Sequence, residues 1–259
     1  MTIETADDLM TTELVRLRPA PVPAAAVWPQ SAVTFGGPGD AVSEDDYQRV
    51  ADGLSCGVAA VRAVAEVETA CEPFLSDRTG RPSILFEAHI FNRYTNGRFL
   101  GAKDRYGVAL ATARWDRTLY GKGGAHQYER LEDACALDRH AALMATSWGM
   151  FQIMGFNWKD AGFGSCEEMV AAMRSGPAAH LMAFQNFVRS KQLDGTLRST
   201  PPDFKTFATK YNGSGDVAAY AAKMKSRYGT FVDRGAAPTP AQASTDAAAS
   251  QAATINAAA

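Results

Sequence analysis

Between Ser43 and Gly229 apolar residues return at three- and four-residue steps in one segment after another, and almost nowhere do they alternate residue by residue. A chain patterned this way folds mainly into helices. Ser43-Glu-Asp-Asp46 reads as a capping signal for DYQRVADGL, with Gly53 as its stop, and Ser55 as the cap of a second helix through GVAAVRAVAEVETA. Further helices are predicted over YERLEDACALDRHAALM, around SWGMFQIM, and over CEEMVAAMRS, PAAHLMAFQNFVRSK, PPDFKTFATKYN and VAAYAAKMKSRYG. Residues 73–125, rich in Gly, Arg and aromatics, read instead as turns with a small hairpin. The predicted class is mainly α with a minor β element.

The periodicity stops at both ends. Residues 1–41 hold five prolines and read as an arm and linker, residues 42–234 as one domain, and residues 235–259 as an alanine-rich tail with almost nothing to bury. Over residues 42–235 there are 24 basic against 22 acidic side chains, so no basic surface points to nucleic acid. No run approaches the roughly 18 apolar residues of a membrane span, and the acidic start MTIETADDLM is unlike a secretory signal, so synthesis in the cytoplasm without export is expected. Cys56, Cys71, Cys135 and Cys166 show no C-x-x-C and are read as buried or free thiols. His89, His126, His140 and His180 show no H-E-x-x-H and no i, i+4 pair, so no metal is expected. Phosphate-binding and serine-nucleophile motifs are also missing, which turns attention to carboxylates.

Glu68 is the most informative of these. On a helix it lies about 40° from Val64 and about 20° from Val61, on the valine stripe, whereas Glu66 faces the other way, one turn from Arg62. A carboxylate beside an apolar stripe is desolvated, which favours its protonated form, the form a general acid needs at neutral pH. Glu87 sits in ILFEAHIF, residues 84–91. As a strand this segment puts Glu87 and His89 on one face; as a helix it clusters Phe86, His89, Ile90 and Arg93. A structural ion pair with Arg81, Arg93 or Arg98 is the plain alternative for Glu87. The stretch Ser147–Asn157 (SWGMFQIMGFN) mixes Ser147, Trp148, Gly149, Gln152, Ile153 and Asn157, aromatic faces beside amides, which is the chemistry of a sugar-binding cleft. Tyr211 and Asn212, in a turn after a helix, offer a phenol and an amide.

Taken in order, AVAEVE ending at Glu68, ILFEAHIF around Glu87, AALMATSWGMFQIMGFN, LMAFQNFV and FATKYNGSG resemble the N-acetylmuramidase catalytic domain of bacteriophage endolysins, a relative of goose-type lysozymes and lytic transglycosylases. The resemblance covers about residues 43–230. It implies a lysozyme-like helical fold that cuts the β-1,4 bond between N-acetylmuramic acid and N-acetylglucosamine in peptidoglycan, as a monomer, with neither metal nor organic cofactor. Glu68 matches the catalytic glutamate that closes the first core helix, and SWGMFQIMG resembles the segment lining the saccharide cleft. Tyr211-Asn212 resembles the pair that faces the catalytic glutamate. The chain departs from the family at residues 69–71, Thr-Ala-Cys, where serine and glycines are usual. Glu87 is the first choice for a second carboxylate, ahead of Asp77 and Asp104, with His89 beside it in the cleft. The alternatives are a lytic transglycosylase and a non-catalytic wall-binding protein. Release from the host cytoplasm would bring such an enzyme to the periplasmic wall.

Overall fold

A computed structural model describes residues 42–69, 72–211 and 217–233, all within one compact unit. The calls on the arm at 1–41, the tail at 235–259, Cys71 and Asn212 lie outside these residues. Nine α-helices and a small three-stranded sheet make up the described part.

Helix α1 (Glu44–Leu54) starts on a capping box. The Ser43 hydroxyl accepts the Asp46 N–H while the Asp46 carboxylate accepts the Ser43 N–H, which satisfies two of the donors a helix start leaves open. The helix runs one residue past Gly53 and ends at Ser55 in the left-handed region, φ 54°. Ser55 therefore closes the first helix instead of opening the second. Helix α2 (Val58–Thr69) is almost all alanine and valine, and it buries Val58 to Ala65 on every side except at Arg62. Small side chains let its neighbours approach closely, so α2 becomes the central helix, packed by α1 and by the last helix, α9 (Val217–Asp233).

The segment left open between strand and helix is both. Strand β1 (Ile84–Phe86) ends where helix α3 (Ala88–Tyr94) begins, with Glu87 at the junction. A 3-10 turn (Arg117–Tyr120) precedes the long helix α4 (Ala125–Met144). Helix α4 breaks at Asp138, φ −158°, whose carboxylate then accepts the Ala141 N–H and caps the second part.

The stretch SWGMFQIM is a correction to the helical expectation. It forms strands β2 (Thr146–Trp148) and β3 (Ile153–Met154) joined by a tight turn. The sheet order is β1-β2-β3, antiparallel, with Phe86 opposite Thr146, Ile84 opposite Trp148, and Trp148 opposite Ile153. Gly149 takes φ +70°, and a Cβ there would lie 2.4 Å from the His180 ring, so both backbone and space demand glycine. The hairpin predicted within 73–125 is reduced to isolated bridges, Phe74 with Pro82 and Lys103 with Ala109. After a 3-10 turn (Gly155–Asn157) come α5 (Cys166–Met173), α6 (Pro177–Ser190), the short and unforeseen α7 (Asp194–Arg198), and α8 (Phe204–Tyr211). Phe86, Phe91, Trp148, Phe151, Phe184 and Phe207 fill the core between the sheet and the helices. The thiols of Cys56, Cys135 and Cys166 are free, and burial pushes each up to about 12.

Candidate active site

Two carboxylates stand out, Glu68 at the end of α2 and Glu87 at the junction of β1 and α3. Glu68 is the penultimate residue of α2 and is half-buried. Its neighbour Thr69 donates its hydroxyl to the Met150 carbonyl at 2.9 Å, which ties the end of α2 to the β2–β3 turn. From the other side Tyr211, at the end of α8, donates its hydroxyl to the Phe151 carbonyl at 2.8 Å. Burial, and then the nearby Glu68 charge, hold that phenol well above its usual range, so it stays a donor. Tyr211 packs flat on Phe207, ring centres 5.0 Å apart, and edge-on to Phe187. It lies close enough to Glu68 for that charge to act on it.

The turn itself is locked by its own side chains. Ser147 donates to Gln152 Oε1 at 2.7 Å, and Gln152 Nε2 donates to the carbonyls of Gly149 at 2.9 Å and Ser83 at 3.2 Å. Gln152 itself adopts φ +47°. Ser147, Gly149 and Gln152 are thus brought together in the turn that Thr69 ties to the end of α2. Trp148 departs from the expectation that it lines a cleft: it is fully buried, and its indole N–H donates to the Leu143 carbonyl. Ile153 is buried opposite it, and Asn157 is half-buried at the end of the 3-10 turn, where its carbonyl accepts the Ala161 N–H.

Glu87 lies at the far end of β1 from Ser83, whose carbonyl accepts the Gly149 N–H. Its backbone N–H donates to the Ala145 carbonyl. Two of the arginines proposed as partners are engaged elsewhere: Arg81 pairs with Asp77, and Arg98 with Asp138. Glu87 Oε1 instead accepts the Tyr120 hydroxyl at 2.7 Å, and Oε2 lies 3.2 Å from His89 Nδ1. Burial, and after it the Glu87 carboxylate, raise the Tyr120 phenol far above its usual range. These groups, with Thr112, Asp116 and Arg130, line a small recess of about 10 Å³. Tyr120 was missed in the sequence because it lies 33 residues from Glu87. The two reserve carboxylates are each engaged by neighbouring groups. Asp104 is buried against Arg130 at 3.0 Å, and Asp77 closes a turn with Thr79 and Arg81 on the surface. Among the described residues no three His, Cys, Asp or Glu side chains converge as a metal's ligands would.

The chain matches the N-acetylmuramidase family over residues 57–232. The chain belongs to the N-acetylmuramidase family. It is therefore a glycosidase-type peptidoglycan hydrolase. A crystal structure of the Burkholderia AP3 phage endolysin superposes on it with a TM-score of 0.64 at 38% identity, covering 76% of this chain and 72% of that one. No curated protein matches the chain. The matched span takes in both carboxylates, the hairpin and Tyr211, so family membership and local geometry concern the same residues. No helix among the described residues is long and apolar enough to cross a membrane.

Proposed function

We propose that this chain is an N-acetylmuramidase in the strict sense, hydrolysing the β-1,4 bond between N-acetylmuramic acid and N-acetylglucosamine. The observation that carries this reading is the position of Glu68, at the end of a buried helix that Thr69 ties to the β2–β3 turn, and close enough to Tyr211 for its charge to act on that phenol. Glu68 gives its proton to the glycosidic oxygen as the C–O bond breaks, and water completes the substitution at the anomeric carbon. The hairpin backbone, Ser147, Gly149, Gln152 and Asn157, with Tyr211, shapes the ground on which the sugars lie. Tyr211 fixes the hairpin by its bond to Phe151, which leaves Glu68 as the group that transfers the proton.

Glu87, with His89, is the second carboxylate of this reading. As a reacting group its replacement by glutamine lowers kcat; as a group that only holds the glycan, it raises KM. A second reading, a lytic transglycosylase, draws support from the way Glu87 is engaged by Tyr120 and His89, since that reaction needs one acid and the substrate's own hydroxyl. Mass analysis of the soluble products from purified sacculi tests the choice. Hydrolysis leaves reducing N-acetylmuramic acid ends, each heavier by one water than the anhydro ends of the alternative. Sacculi bound but not cut would identify a wall-binding protein instead. The similarity to a phage endolysin supports synthesis in the host cytoplasm and action on the wall after release.

A further inference from the structure

Tyr120, at the recess beside Glu87, is bonded to an outer aromatic that neither the core nor the proton transfer uses. Trp115 is 58% exposed, yet its indole is not loose. Nε1–H donates to the Tyr120 hydroxyl oxygen at 2.7 Å, with the two rings edge to face at 6.4 Å and 70°. Tyr120 in turn donates its hydroxyl to Glu87 Oε1 at 2.7 Å, and Glu87 Oε2 faces His89. A directed chain thus runs from Trp115 through Tyr120 to Glu87. The backbone carbonyl of Tyr120 is held in turn by Gln127 Nε2 at 2.6 Å, so the chain hangs from helix α4.

This arrangement has a consequence for what the surface presents. An exposed tryptophan ordinarily gives its N–H to water and keeps its rotamer freedom. Here the N–H is satisfied inside the protein, so the ring is fixed and most of what it offers to solvent is carbon. Beside that platform lies a recess containing a carboxylate, a phenol and an imidazole. An immobilised aromatic next to convergent polar groups suits a ligand with an apolar face and a polar edge. A pyranose ring is such a ligand: its axial C–H groups lie on the negative face of the indole, and its hydroxyl and acetamido groups turn to the polar edge.

We propose that Trp115, backed by Tyr120 and Glu87, forms a saccharide subsite that takes an N-acetylhexosamine ring of the glycan strand beyond the sugar whose linkage Glu68 protonates. The subsite rests on the muramidase reading, because the strand it grips is that enzyme's substrate. Its energetic part is stacking on Trp115, and its orienting part is the Glu87 recess. The N–H bond to Tyr120 sets the tilt of the platform, so phenylalanine at 115 keeps a stacking face but loses the fixed tilt.

The test separates binding from cleavage. Calorimetry with a tetramer of β-1,4-linked N-acetylglucosamine on the Glu68→Gln protein measures binding alone, and turnover of solubilised glycan strands by the Glu68 protein gives kcat and KM. Adding Trp115→Ala is expected to weaken tetramer binding about tenfold or more and to raise KM by a similar factor, with a much smaller effect on kcat. Trp115→Phe should recover most of the affinity. Leu100→Ala, a change at another exposed apolar residue, should bind as its parent does. Circular dichroism confirms that each variant is folded. A Trp115→Ala protein that binds and turns over like its parent would overturn the subsite and leave the muramidase reading standing. A parent that neither binds the tetramer nor cuts the strands would overturn both.

Discussion

His180 Nδ1 accepts the Met150 N–H at 3.0 Å, so the turn beside Glu68 is pinned from behind by an imidazole on α6. The ring's other nitrogen lies 2.6 Å from the Met173 carbonyl, which fixes the neutral tautomer with Nε2 protonated. One buried side chain therefore links α5, α6 and the hairpin, and through Met150 the end of α2. Replacing His180 by phenylalanine leaves a buried N–H and a buried carbonyl unmatched, a loss of about 2–4 kcal/mol. Glutamine, with an acceptor and a donor, should restore part of it. Urea unfolding of the two variants checks the difference.

The same residue imposes an acid limit. Burial lowers His180 from 6.5 to about 4, so the unfolded chain binds more protons between these values. Stability should decline as pH falls from about 6.5 and stop losing ground from this residue near pH 4, a total of roughly 3 kcal/mol. In His180→Gln this part of the slope should disappear. Midpoints of urea unfolding at pH 7, 5.5 and 4 measure it.

A surface pair has the opposite signature on one side. His140 faces Glu167 at 2.9 Å; their hydrogen bond raises the histidine above 6.5 and lowers the glutamate below 4.5. The histidine's contribution is complete below about 6.5 and is lost as pH rises through its raised value. The glutamate's is complete above about 4.5 and is lost as pH falls through its lowered value. The pair should therefore help most between about pH 4.5 and 6.5. Both groups are well exposed, so the effect is small. His140→Ala should differ most from the parent near pH 5.5 and match it near pH 9 in thermal unfolding.

Arg130 and Asp104 are both fully buried, 3.0 Å apart, and Arg130 also donates to the carbonyls of Leu119 and Ala109. They hold the loop that carries Trp115 and Tyr120 against α4. Arg130→Leu strands the Asp104 charge in the interior and should cost about 3–5 kcal/mol, whereas the double replacement with Asp104→Leu should cost clearly less. Denaturant midpoints of the single and double variants decide this.

The helices were readable because their apolar spacing is local. So was the helical setting of Glu68, since the buried valines of α2 lie within three turns of it on the same helix. SWGMFQIM was misread because β2 is buried on both faces, and without alternation a short apolar run looks the same as a helix start. Trp148 followed the same logic: an aromatic beside amides suggests a cleft, but the fold encloses it behind the sheet. The group around Glu87 was invisible for another reason. Tyr120 and Trp115 come from a loop whose path depends on the buried Arg130–Asp104 pair, and nothing in local spacing encodes that contact.

The most direct test of the central claim is turnover of purified sacculi by the parent and by Glu68→Gln, both confirmed as folded by circular dichroism, with release of reducing ends as the readout. The account predicts that the parent clears the suspension and that the variant loses on the order of 10³-fold or more in rate. A variant that retains most of the parent's rate would contradict the assignment of Glu68 as the acid and direct the same measurement to Glu87.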